Sequence, residues 1–156
     1  MAMSMAALLT GIPGAQERAY PTSAEEAARQ WAHAALNWMV GVVPPSTQVA
    51  AAAQQLEGML VGIFRQQQQP GAPHNSGAQI DAAFQAFGAT IALGMLPAYT
   101  AIPPPSPPGF AQAALRGSYA RTRAEGVQQI ASMLQRWAAM GTATLVAPPF
   151  TPVVWT

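Results

Sequence analysis

The sequence contains no cysteine and no lysine, and only 8% of its residues are charged. Without cysteine there are no disulfides, no thiol nucleophiles and no thiolate zinc sites. That does not fix a compartment, because a reducing cytosol and an assembled particle outside a cell are both compatible with it. All seven basic residues are arginines, set against six acidic ones, for a net charge of +1. Such a balance excludes the concentrated positive surface that duplex binding needs. The one local basic cluster, Arg116, Arg121 and Arg123, reads as a solvated or subunit-facing helix end. The carboxylates Glu17, Glu25, Glu26, Glu57, Asp81 and Glu125 form no pair at a catalytic spacing. His33 and His74 are too far apart to suggest a metal site, and His33 with Asn37 reads as a structural pair at i, i+4. No dinucleotide, phosphate-loop, nucleophile-elbow or H-E-x-x-H motif is present. The expectation is therefore no catalytic, cofactor-binding or metal-binding residues, no cofactor, and no specific nucleic-acid partner.

What is present is an apolar chain of 156 residues, 51% hydrophobic and rich in alanine, proline and glutamine. Alanine buries little area, so core energy must come from Trp31, Trp38, Leu56, Leu60, Phe64, Phe84, Phe87, Leu134 and Trp137. Each contributes about 1.5–3 kcal/mol when fully buried. Helical periodicity predicts four principal helices. The first, 23–43, opens on a Ser23/Glu26 capping box and carries Ala27, Trp31, Ala34, Ala35, Trp38 and Val42 on one face. Pro44-Pro45 ends it. The second, 47–67, has Ser46 as its expected N-cap and a stripe of Val49, Ala53, Leu56, Leu60, Ile63 and Phe64. The third, 77–96, starts from a Ser76/Gln79 capping box, with Gly88 and Gly94 allowing close helix approach. The fourth region, 110–140, carries Val127, Ile130, Met133, Leu134 and Trp137, with a break near Gly117-Ser118 and Gly141 as C-cap.

The connectors are as telling as the helices. A short link between the first two helices predicts a hairpin. Gln66–Asn75 reads as a solvated connection, and Pro103–Gly109 as a stiff polyproline spacer. The pattern helix, proline-serine connector, helix occurs twice, which suggests a duplication. The fold class expected is mainly α: a small bundle of about four helices in two hairpins, with proline-rich connectors and extended N- and C-terminal arms. The domain plan is an arm over 1–21, a helical domain over 22–141 and an arm over 142–156, where an edge strand is the other reading of the β-branched tail. The arms are apolar rather than charged and must find a surface, in this chain or a neighbour. Their candidate interface residues are Met3, Met5, Leu8, Leu9, Tyr20, Phe150, Val153, Val154 and Trp155, with Tyr20 and Trp155 as anchors. A membrane span over Ile80–Ile102 is weakened by Gln85, Thr90 and Pro97 and by the lack of flanking basic residues.

The run Phe84–Pro97 with its Phe-Gly-Ala-Thr centre, the connector Pro103–Gly109, and the stretch from Trp137-Ala138-Ala139-Met140-Gly141-Thr142-Ala143-Thr144 through Trp155 cover about half the chain. In these the chain resembles small structural proteins of tailed bacteriophages that line tail, baseplate or neck. The resemblance implies a non-enzymatic virion component repeated by symmetry and carries no functional residues across. The function expected is a structural subunit of a large assembly, with a bacteriophage virion as the leading instance. Its partners would be other protein subunits of the same particle, including further copies of this chain. The alternatives are a membrane-active, holin-like helical protein of the inner membrane and a soluble helical adaptor or scaffold in the bacterial cytoplasm.

Overall fold

The structure, a computed structural model, describes residues 3–13, 21–72, 74–116 and 122–156. It is mainly helical, with helices α1 (Met5–Gly11), α2 (Ala24–Met39), α3 (Val49–Gln67), α4 (Ser76–Leu93), α5 (Phe110–Arg116) and α6 (Arg123–Ala138). Three short strands, β1 (Tyr99–Ile102), β2 (Thr142–Leu145) and β3 (Pro152–Val154), form an antiparallel sheet in that order. Helix α3 packs against both α2 and α4, α1 lies on α2 and α6, and α5 lies on α4.

The helix starts show which local signals are obeyed. Ser23 caps α2 by accepting from the Glu26 N–H at 3.1 Å. The returning half of the box is displaced by one residue: the Glu26 carboxylate accepts from the Thr22 N–H at 2.7 Å and from its hydroxyl at 2.8 Å. Two other expected caps are not made. Gln48 precedes α3 and Asn75 precedes α4, and neither gives a side-chain capping bond. Ser46 accepts from the Gln48 N–H at 3.3 Å, one residue short of α3, and donates to the Ile91 carbonyl at 2.7 Å, while Thr47 donates its N–H and its hydroxyl to the Gly94 carbonyl. The α2–α3 connection is thereby tied to the end of α4, where the last carbonyls lack the i+4 donor of a regular helical turn. Gln79 is likewise drawn into tertiary structure, its amide donating to Gln66 Oε1 at 3.0 Å. A cap that the periodicity of region 110–140 passed over holds α6: Thr122 and Glu125 have capping-box spacing, and Thr122 Oγ1 accepts from the Glu125 N–H at 3.2 Å.

The core is continuous. Trp38, Leu56, Leu60, Phe84, Phe87, Leu134 and Trp137 are all fully or nearly fully buried, as expected, whereas Trp31 and Phe64 are half-buried at its margin. The rings of Trp31, Phe84, Phe87, Phe110 and Trp137 form one cluster, mostly edge to face with Phe84 stacked on Phe110. The indole N–H of Trp38 donates to Gln135 Oε1 at 2.9 Å and that of Trp137 to the Ser106 carbonyl at 2.7 Å. Gly88 and Gly94 do sit at close approaches. A Cβ at Gly88 would press on the Trp137 ring at 3.1 Å, and one at Gly94 would collide with Ser46 and Gln48.

Two expectations for the termini are corrected. Residues 5–11 are a helix, not an extended arm. Ser4 caps it, and Met5, Leu8, Leu9 and Ile12 recur at i, i+3, i+4 and i+7, burying Leu8 and Ile12. Residues 142–156 are not a free arm either, because β1 supplies the partner strand that makes them part of a sheet. The same strand spoils the duplication: it precedes the second proline connector and has no counterpart before the first.

The Ile80–Ile102 stretch is divided between α4, a turn and β1. Among the described residues no helix is long and apolar enough to cross a membrane. Asp81, placed at the edge of that span by the sequence reading, lies in the interior at 5% exposure. Its carboxylate accepts from the N–H groups of Gly109, Phe110 and Ala111 at 2.9, 2.9 and 3.0 Å. It is therefore the N-terminal cap of α5, supplied from another helix, where a negative charge meets the positive end of the dipole.

Candidate interaction surface

Several polar side chains among the described residues are occupied with structure, although Gln79 Oε1 and the Trp155 indole N–H are buried without a partner. Glu25 pairs with Arg65 at 2.6 Å, joining α2 to the end of α3, and Arg29 lies 3.9 Å from Glu57. The Glu25 carboxyl is held below the ordinary glutamate range by its own backbone N–H first and by Arg65 next. Glu26 is lowered by the backbone N–H and then the hydroxyl of Thr22. His33 Nδ1 contacts the Asn37 amide at 3.2 Å on the exposed face of α2. Among the described residues no three His, Asp or Glu side chains come together as a metal site.

The sheet is built differently. The Val146 N–H donates to the Ala98 carbonyl directly opposite, and the Trp155 N–H to the Gly141 carbonyl. In an antiparallel ladder bonded and non-bonded pairs alternate. Thr100 with Thr144 and Ile102 with Thr142 are then the bonded pairs of β1 and β2, and Ala143 with Val153 that of β2 and β3. Pro152 stands opposite Thr144 in a non-bonded pair, so its missing N–H costs the ladder nothing. By the same alternation Ala101 turns its N–H and carbonyl away from β2.

Side chains alternate likewise. Ala101, Ala143 and Val153 face inward, while Thr100, Ile102, Pro152 and Val154 stand on an open face. Residues 82–115 and 137–156 carry no charged side chain. Seven of the nine exposed large hydrophobic side chains of the described residues fall in these two segments: Leu93, Leu96, Ile102, Met140, Val146, Phe150 and Val154. Apolar exposure is thus gathered on one part of the molecule.

The nine candidate interface residues separate into three groups. Met3, Leu8 and Trp155 belong to the chain's own core, and Met5 and Leu9 pack half-buried against it. Trp155, at 1% exposure, is therefore not an anchor on another subunit. Its ring lies against Gly141, and Thr156 exchanges two backbone bonds with Val43, at 2.9 and 3.3 Å. Val153 is half-buried on the inner face, and Tyr20 lies outside the described residues. Phe150 and Val154 remain exposed. Phe150 is also the one non-glycine residue with positive φ among the described residues, at 53°, an unfavourable conformation for a bulky side chain.

Sequence reasoning missed Ile102, Leu93 and Leu96 as surface residues, having placed them only within a possible membrane span and, for the two leucines, within the third helix. The available signal was the absence of charge from residue 82 to residue 115. Compared with known proteins, the chain matches no family model, no curated protein and no solved structure.

Proposed function

We propose that this chain is a non-enzymatic structural subunit of a large multi-subunit assembly, and that the assembly is a bacteriophage virion, as a tail, baseplate or neck component. The observation that carries the reading is the gathering of exposed apolar side chains on the uncharged sheet and the adjoining end of α4. An apolar surface of this kind is usually covered by another protein. The helices would serve as a rigid body, two hairpins held by proline-rich connectors, that presents the sheet to its neighbours. Partners are other subunits of the particle, further copies of this chain among them.

The test is to purify particles by density gradient and quantify the chain by mass spectrometry. The reading expects a fixed stoichiometry to the other particle proteins, unchanged by a high-salt wash. Recovery only in the low-mass fraction would instead favour a soluble adaptor, and recovery with membranes a holin-like protein.

A further inference from the structure

Beside the sheet lies an open groove of about 300 Å³. Ala89, Ala92 and Leu93 of α4, with Leu96 just beyond it, form one side, and Thr100, Ala101 and Pro103 form the other. No charged residue lines it. The Ala101 N–H and carbonyl, turned away from β2, give this apolar groove one backbone donor and acceptor. The same chain carries a matching projection. In the β2–β3 connection, a turn closed by the Phe150 N–H and the Ala147 carbonyl at 3.1 Å holds Phe150 outward at 56% exposure. A bulky aromatic kept at positive φ and in water is doubly unfavourable in an isolated chain. The chain's own groove does not relieve it, since Phe150 is not among the residues lining the groove.

We propose that the α4–β1 groove of one copy receives the Phe150 turn of a second copy. This rests on the reading of the chain as a subunit and names the contact between copies. The size fits: a dry cavity of roughly 150 Å³ accepts a benzene ring, so the groove holds a benzyl group with room for the turn's backbone. Neither surface carries a charge that docking would desolvate. Projection and groove are different surfaces, so the contact joins a donor copy to an acceptor copy.

The experiment uses the full chain, with Phe150→Ala to remove the projection and Ala89→Trp to fill the groove from an exposed helix position. Sedimentation velocity should show self-association of the parent chain and monomers for each variant alone, with unchanged helical content and melting temperature. An equal mixture should form a heterodimer, because the Ala89→Trp chain still offers Phe150 and the Phe150→Ala chain still offers an open groove. A monomeric parent, an associating Phe150→Ala variant, or a mixture of two monomeric variants that does not pair would each overturn the proposal. Particle incorporation separates this from the function reading. A chain found in particles whose Phe150→Ala form self-associates normally refutes only the contact. One that pairs as described but is absent from particles refutes only the assembly role.

Discussion

Helices α2 and α3 and the three-stranded sheet expose their surfaces on different terms. On the helices, Glu25, Glu26, Arg29, Glu57 and Arg65 keep the outer face wet, tied to caps or to each other. On the sheet, Thr100, Ile102, Pro152 and Val154 face outward, with no charged residue in the strands or in the β2–β3 connection. Sheet edges are ordinarily protected by charge, proline or shortness. Here prolines flank β1 and open β3, and the strands are only three or four residues long. These devices discourage open-ended pairing, yet they leave the apolar face itself uncovered. The comparison teaches that the helical body is finished as a folding unit, whereas the sheet is packed on its inner face and left open on its outer one.

If the helical body is self-sufficient, its largest side chain should be expensive to remove. Trp38→Ala should lower stability by about 3–5 kcal/mol in denaturant unfolding, since the ring is fully buried and its N–H is bonded. A loss below about 1 kcal/mol would deny Trp38 that place. Next in size is Asp81→Ala, which leaves the N–H groups that open α5 without their acceptor. A loss of roughly 2 kcal/mol is expected. Hydrogen exchange should rise in residues 109–116 more than in α2 or α3. On the sheet side, Gly141→Ala drives a Cβ into the Trp155 ring. It should cost roughly 1–3 kcal/mol. Exchange should rise at Val43 and residues 153–156 while the helices keep their protection; equal deprotection of α3 would show that sheet and body are one cooperative unit.

The smallest effect is electrostatic. Glu25 and Glu26 have folded-state pKa values lowered below the ordinary glutamate value. A lowered folded pKa contributes stability above the unfolded value and loses it as the pH falls through the folded one. The melting temperature should therefore be flat from about pH 7 to about pH 5 and decline below about pH 4. The double variant Glu25→Gln, Glu26→Gln should show a shallower decline. Both carboxylates are exposed, so the difference is modest.

Much of the body was legible because its signals are local. The periodicity of α2, α3, α4 and α6 placed the core, including Trp38, Leu60, Phe87 and Trp137. The signals that failed were those overruled from a distance. Ser46 and Gln79 have the spacing of helix caps but bond to Ile91 and Gln66 across the bundle. Asp81 caps a helix that begins 29 residues later in the chain. Strand β1 pairs with residues 40 to 46 positions away, so nothing between Pro97 and Pro103 could announce it. Without β1, the segment 142–156 reads as an arm in search of a surface, and Trp155 as its anchor. Helix α1 was legible in principle, since Ser4 with Met5, Leu8, Leu9 and Ile12 carries a cap and a period. Seven residues are too few to form a helix alone, and the packing on α2 that stabilises it is invisible in the sequence. The candidate surface was legible only in its composition: the uncharged segments stand out, but their meeting in one sheet does not.

The central claim is that the uncharged sheet and the adjoining end of α4, and not the charged outer face of α2 and α3, meet other subunits. It is tested most directly by placing one positive charge on each and measuring incorporation into particles. Ile102→Lys puts the charge on the open sheet face, and Met59→Lys puts it on α3, both at exposed positions. Both variants should fold, with helical content and melting temperature close to those of the parent. The Met59→Lys chain should enter particles at the parent stoichiometry, and the Ile102→Lys chain should be excluded or strongly depleted. Normal incorporation of Ile102→Lys, or exclusion of Met59→Lys with Ile102→Lys unaffected, would contradict the account.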